Sequence, residues 1–556
     1  MAIKDNNNAM DPTKLCVGID LGTTNTSVSY SRMEMSGIVH SDDLQIRQKE
    51  RGVQKTSETM PSILYRKTNG ETVVGKEAQE LKEKSIMSVD AEIRYLENTK
   101  RYMGTDTTYK IDEHIYTPIE VATYILEHIK NYTDIKKWQG DYYTIITVPA
   151  NFNTDQREDT LEAARKAGFK NVDLYDEPKA AILGFLHDQS QARENKVLDI
   201  TTKKRIMVID IGGGTCDISV EDVEERDGQY VFAHLAVGRE NLGGVDFDKR
   251  IADDLTRKYL KGVKLTDAEL ASLRDMGQKI KENLSNQILS FCWDNYDEEY
   301  SSKLYDDPNW LDILEESLDE VQISREIGGE TIHFKMGIRE LVNSINPLIY
   351  QGDAVVTNKD EPERNKNMES LIENTLRDHD IVIDSIDYIF LTGGMAICFP
   401  LRAALNDIYG KPIISPKNPL LAVSHGAALI NKYKSIDETS KDLMPNAIMI
   451  EMNNGRLKPL VMMGEQVPVT KTVPEVFKTT SRKGVVIRLY EGKNEFDCQL
   501  RRINNEYVIK TPELPPIGRE FTIRYTVDKT KRLKLVIIFS DTLEEFEITG
   551  QIKEGK

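Results

Sequence analysis

One feature constrains this chain more than any other: a near-repeat of strand, aspartate, glycine/threonine turn and strand. Val17 to Ser29 reads VGIDLGTTNTSVS, and Val208 to Val220 reads VIDIGGGTCDISV. In each copy an apolar strand ends in an aspartate, Asp20 or Asp210, and a turn rich in Gly and Thr leads into a second strand. Turn glycines let a backbone approach a ligand closely. Successive turn N–H groups and Thr hydroxyls present donors to an anion, and a carboxylate at a strand end can hold Mg²⁺ through water. One such hairpin is only a turn. Two copies about 190 residues apart predict a duplicated fold whose halves face each other across a phosphate.

A third element, Ile389 to Met395 (IFLTGGM), is a buried strand running into a Gly-Gly turn ahead of a helix from about Phe399 to Tyr409. Bare glycine backbone at a helix start suits a nucleotide's sugar and α-phosphate. Strand and helix patterns alternate from Leu15 to Lys434, which predicts α/β layers. Lys434 to Met444 reads as a charged linker, and residues 1–13 as a disordered N-terminus. Beyond Pro445, Phe521, Ile523, Tyr525 and Val527 alternate with polar residues, the period of a half-buried strand. Residues 445–556 therefore read as a small all-β domain. The acidic stretch Asp294 to Glu320 reads as an exposed helical insertion.

The formal charge of −18 argues against a nucleic-acid or anionic-membrane partner. Five scattered cysteines without a CxxC pair suit reduced thiols and give no zinc pattern. The N-terminus has no signal-peptide core and no run of about 20 apolar residues occurs, so a cytoplasmic location is expected.

In order along the chain, GIDLGTTNTSV (Gly18–Val28), TVPANFNTDQRE (Thr147–Glu158), YDEPKAAILGF (Tyr175–Phe185), DIGGGTCDIS (Asp210–Ser219), NLGGVDFD (Asn241–Asp248), LTGGM and NPLLAVSHGAAL (Asn418–Leu429) resemble the heat-shock 70 kDa chaperone family of the DnaK type. The resemblance implies a two-lobed nucleotide-binding domain of the actin, hexokinase and heat-shock-chaperone type over 14–433, followed by a peptide-binding β-sandwich without a helical lid. It implies ATP/ADP and Mg²⁺ as cofactors. Extended peptide segments, a J-domain co-chaperone and a nucleotide-exchange factor are the implied partners.

Residue by residue, the first loop (Gly22, Thr23, Thr24, Asn25), the second (Gly212, Gly213, Gly214, Thr215) and the Gly243–Gly244 turn are the implied phosphate binders. Lys281 is placed at the ribose, and Gly393, Gly394 and Met395 at the adenosine turn. Asp20 and Asp210 are the implied Mg²⁺ anchors, with Glu177, Thr215 and Asp217 joining them as catalytic candidates. Pro149 and Arg157 resemble the family's relay between domains, although Arg157 taken alone reads as an exposed helical arginine.

The chain departs from the pattern in places. Spacing from Gly75 puts Gln79 where the family has a lysine on the γ-phosphate, and Lys76 and Lys82 aim elsewhere on the same helix. Met395 and Ile397 replace a hydroxyl and a stacking arginine, and Leu420 replaces an acidic residue. The leading expectation is a slow ATPase (ATP to ADP and phosphate) that binds apolar peptides. The alternative is a nucleotide-binding scaffold or sensor with little turnover. A sugar kinase or a filament former fits the YDEPKAA and NLGGVDFD motifs and the β-rich tail poorly.

Overall fold

The computed structural model describes residues 14–551, apart from 35–37, 87–92, 139–141, 192–196, 227–228, 297–301, 351–365, 434–441, 453, 480–484, 498–499, 504–505, 510–515, 529–530 and 549. The N-terminal 1–13 and most of the 434–444 linker fall outside the described residues.

The repeat builds two sheets of one topology. In the first, the strand Leu15–Leu21 forms an antiparallel meander with Asn25–Met33 and Val39–Asp43, and is flanked on its other side by the parallel strands Tyr142–Val148 and Val172–Asp176. In the second, Lys204–Ile211, Cys216–Arg226 and Gln229–Glu240 form the meander, and Tyr388–Thr392 and Ile413–Ile414 the parallel pair. Each parallel pair is joined by a helix, Thr154–Lys166 in the first lobe and Phe399–Tyr409 in the second. This is the duplicated α/β fold that the repeat predicts.

Each lobe has its own apolar core, and a third core lies between them. Two helices fill that third core, Glu177–Gln191 and Ala422–Leu429. They cross at glycine: a Cβ on Gly426 would lie 1.7 Å from the Ala180 carbonyl oxygen, and one on Gly184 would lie 2.8 Å from that of Ala422. A Cβ on Gly18 would fall 2.2 Å from the Ser424 carbonyl oxygen, so the same helix also lies directly on the first strand. The small residues of the AAILG and HGAAL motifs are thus dictated by backbone contact.

The acidic insertion differs from expectation. Its short helices Ser302–Tyr305 and Trp310–Ser317 bury Leu304 and Leu314 completely, and Tyr305 and Trp310 pack on Phe399. The described acidic side chains face outward while the apolar ones between them anchor the segment, so its described part is a docked element with one charged face.

From Asp442 onward the described residues form strands and no helix. Four strands run in the order Leu457–Val461, Ala447–Glu451, Leu489–Gly492 and Arg501–Arg502. A second sheet is built on the hairpin Glu520–Val527 and Leu533–Phe539. Ile448, Ile450 and Leu489 from the one, and Phe521, Ile523 and Ile537 from the other, share one core.

Because the helix crossing leaves no room for a side chain, Gly426→Ala is expected to destabilise the chain by about 1–3 kcal/mol, read as a lowered denaturant midpoint. Gly410→Ala, where a Cβ meets nothing within 4 Å, is the control for a purely conformational effect, since its φ is +57°.

Candidate functional site

The two hairpin turns meet. A Cβ on Gly213 would lie 1.5 Å from Thr24 Oγ1, so the second turn has to be glycine where the first lobe's threonine rests on it. Gly244 N–H donates to Gly212 O at 2.9 Å and Val245 N–H to Gly213 O at 2.8 Å, which welds the Asn241–Asp248 motif onto the second turn. Gly393, in the left-handed region at φ 82°, lets its backbone pack on Asp210: a Cβ there would be 2.4 Å from Asp210 Oδ1.

These elements enclose a cavity of about 570 Å³ between the lobes. Asp20, Gly22, Thr23, Thr24 and Asn25 line it from the first lobe. Asp210, Gly212, Gly213, Thr215, Asp217 and Gly244 line it from the second. Glu177 and Pro149 stand at the floor, and Lys281, Gly393, Gly394 and Met395 at the far end. Gly214 and Gly243 are not in the wall. They stand behind it, where a Cβ on Gly243 would fall 2.6 Å from the Gly214 backbone. Lys281 Nζ is fixed by Asp248 Oδ1 at 2.6 Å and Gly244 O at 3.2 Å. Met395 is buried beside it, and Ile397 and Leu420 line the cavity with the polar Gln278, Glu282 and Ser285.

The cation expected to be missing is present. Gln79 does not line the cavity, and its Oε1 accepts from Lys76 at 3.1 Å. Lys100 occupies the cavity instead, its Nζ donating to Glu177 Oε1 at 2.8 Å. Counting from Gly75 fails because the helix Lys76–Ile86 and the residues after it put Lys100 much further along the chain. The available signal was the Lys100-Arg101 pair in NTKRYMGT, two adjacent cations before a glycine.

Four carboxylates share this desolvated space. Burial, and then the neighbouring Glu177, push Asp20 up to about 7, with Lys100 and Thr147 opposing. Burial and the Glu177, Asp217 and Asp20 charges hold Asp210 well above the ordinary carboxylate range. Burial raises Glu177 too, against the pull of Lys100, and Lys100 is itself raised by Glu177 and Asp20 over the opposing effect of its burial. Thr215 Oγ1 donates to Asp217 Oδ2 at 2.9 Å. Asp217 Oδ1, 3.7 Å from Arg239 Nε, and Thr24 Oγ1 are buried with no hydrogen-bond partner among the described residues. Excess negative charge, open glycine backbone and orphaned oxygens fit a cation-bound polyphosphate. No three His, Cys, Asp or Glu side chains among the described residues are close enough to chelate a metal directly.

Arg157 is not an exposed helical arginine. It is 2% exposed, and its guanidinium donates to Asp176 Oδ1 at 2.8 Å, Phe152 O at 3.0 Å and Ala150 O at 3.3 Å. Lys531, from the C-terminal module, donates to the other Asp176 oxygen at 2.7 Å and to Ala150 O at 3.2 Å. Lys531 and Arg157 together hold Asp176 below the ordinary carboxylate range against its burial. Beside this cluster, Glu491 accepts the Thr154 N–H at 3.1 Å at the start of the helix Thr154–Lys166, and Arg501 bridges Asp155 and Glu491 at 2.6 and 2.9 Å. The module is therefore docked on the segment that carries Pro149 and leads into Glu177.

The profile of the family described as Hsp70 protein matches residues 16–305 and 365–529. This match covers well over half of the chain, and the protein belongs to the Hsp70 family. Similar curated proteins include the chaperone protein DnaK of Thermosipho africanus, 28% identical over 528 residues (92% of this chain, 76% of the relative). The chaperone protein DnaK of Thermotoga maritima is 28% identical over 570 residues, covering 97% of this chain and 83% of the relative. Membership carries the two-lobed actin-like ATPase fold. Among the described residues no helix is long and apolar enough to cross a membrane.

Because the folded-state value of Asp20 lies above its ordinary 3.8, ionising it opposes folding, and the penalty grows as pH rises from 3.8 to about 7. Asp20→Asn is expected to stabilise the ligand-free protein by on the order of 1 kcal/mol or more at about pH 8 and by little at about pH 4. Thermal melts at the two pH values check this.

Proposed function

We propose that the chain is an ATP-dependent chaperone that hydrolyses ATP slowly in the interlobe cavity and binds extended apolar peptide segments on its C-terminal module. The observation that carries the first half is the meeting of two phosphate-type turns around Lys100, Glu177 and two strand-end aspartates. On this reading the two turns and the Gly243–Gly244 turn cradle the phosphates through backbone N–H groups, Thr23 and Thr24. Lys281 faces the ribose, and Met395 and Ile397 form an apolar seat for the base. Asp20 and Asp210 would hold Mg²⁺ through water, supplying charge neutralisation at the phosphates.

Lys100 brings a desolvated positive charge to the end of the cavity where charge develops during phosphoryl transfer, the largest kind of contribution such sites make. Glu177 keeps Lys100 in place. The orphaned Oδ1 of Asp217 is the acceptor for the attacking water, with Thr215 fixing the other oxygen. The scaffold alternative rested on Gln79, Met395 and Ile397; Lys100 in the cavity wall speaks against its first ground, and Met395 and Ile397 remain in the wall. Residues 445–556 are read as a β-sandwich whose strands and exposed apolar residues offer a peptide backbone bonds and apolar seats. Phe496 and Ile517, 86% and 63% exposed, are such residues. The Lys531–Asp176–Arg157 cluster is the route by which docking of this module reaches Pro149 and Glu177. A J-domain protein and a nucleotide-exchange factor are proposed partners, in a cytoplasmic setting.

The test is ATP binding and single-turnover hydrolysis by the full chain, with binding of an extended apolar peptide measured in parallel. Tight binding with slow turnover and a peptide-dependent rate supports the reading, and no ATP binding overturns it. Lys100→Met is expected to lower the single-turnover rate by about 10²–10³ while ATP affinity changes far less. Gln79→Lys, outside the cavity, is expected to leave the rate unchanged. Lys531→Met removes one of the two cations on buried Asp176 and is expected to cost about 1–3 kcal/mol. It should also abolish the effect of peptide on turnover, read by hydrolysis with and without peptide.

A further inference from the structure

The single 3-10 turn Thr99–Tyr102 carries two adjacent cations that point to different lobes. Lys100 reaches Glu177, and Arg101 crosses the cleft, its Nη2 3.2 Å from Asp246 Oδ2. That same Oδ2 accepts the Gly243 N–H at 2.7 Å, capping the helix Gly244–Tyr259. Gly243 and Gly244 are fastened to the second phosphate turn, as described above. The arginine stem passes over Gly214, where a Cβ would lie 2.4 Å from Arg101 Nε. Arg101 Nε is buried with no hydrogen-bond partner among the described residues, and the side chain is not part of the cavity wall. Its hold on the second lobe is the bond to Asp246.

The turn begins after Asn98, in the left-handed region at φ 59° that asparagine adopts more readily than other side chains, and Gly104 at φ 74° follows it. Gly104 N–H donates to Asp159 Oδ2 at 2.6 Å, which fixes the turn to its own lobe, while the Arg101–Asp246 bond ties it to the other.

We propose that Arg101 is a positioning residue that makes Lys100 engagement conditional on cleft closure. With the lobes together, Asp246 holds Arg101, the turn is fixed, and Lys100 is set at the phosphate end of the cavity. When the lobes part, Arg101 loses Asp246, the turn loses its cross-cleft anchor, and Lys100 is held by Glu177 alone, no longer set against the second phosphate turn. Hydrolysis is thereby confined to the closed, water-poor site. This inference rests on the ATPase reading above. A bystander ion pair with both partners partly exposed contributes little and would leave the kinetics unmoved.

The experiment uses the full chain and its Arg101→Met, Asp246→Asn and doubly substituted variants, with Arg101→Lys for rescue. Release of a fluorescent ADP is followed by stopped flow, and hydrolysis in a single turnover at saturating ATP. Each single substitution is expected to speed ADP release about tenfold and slow the saturated turnover about tenfold. The double variant should be no worse than either alone, and Arg101→Lys should recover part of both. Unchanged release and turnover in Arg101→Met, or effects that multiply in full in the double variant, overturn the proposal. Should Arg101→Met fail to fold, Asp246→Asn decides by the same two readings. A wild-type chain that binds no ATP sinks the ATPase reading, and this inference with it. Failure of this inference alone shows as tight ADP binding with both rates untouched by the substitutions.

Discussion

Buried charge that the protein cannot fully balance by itself governs this structure. Asp20, Glu177, Asp210 and Asp217 are brought together from two lobes, and Lys100 and, more distantly, Arg239 face them. Burial pushes Asp20, Glu177 and Asp210 toward their neutral forms. The fold tolerates this because the aspartates end strands locked into two sheets and Glu177 starts a helix buried between them. The strain is electrostatic, and a ligand that carries its own cation relieves it.

The same economy of charge appears where the C-terminal module docks. Asp176, one residue before Glu177, is shared by a guanidinium from its own domain and an ammonium from the module. Glu491 caps a helix that does not belong to its own domain. Each of these groups is buried, and losing Lys531 leaves Asp176 with one cation fewer to offset its burial. Docking is therefore specific in position: these groups are satisfied only where they now meet.

Much of this was legible in the sequence, for identifiable reasons. The two Asp-x-Gly hairpins declared the duplicated fold because each needs a special backbone at consecutive residues, and the small residues of the helix crossing stand within the motifs that the resemblance used. Lys100 was missed because its place is reached by a turn between left-handed residues, which no periodicity marks, and counting from Gly75 led to Gln79. The burial of Arg157 was likewise hidden. A helical arginine looks exposed until a distant lysine and an aspartate at a strand end are known to enclose it. The acidic insertion was misjudged because its charges outnumber Leu304, Trp310 and Leu314, the residues that decide its placement.

The helix crossing between the lobes has a mechanical meaning. Gly184 and Gly426 bring two backbones into contact at the crossing, with the apolar side chains of both helices packed around that point. Glu177 opens one of the two helices, so the charged floor of the cleft lies near the crossing. A roll about such a point would move the rim of the cleft more than its floor, the geometry of a joint that keeps its reacting end close to the axis.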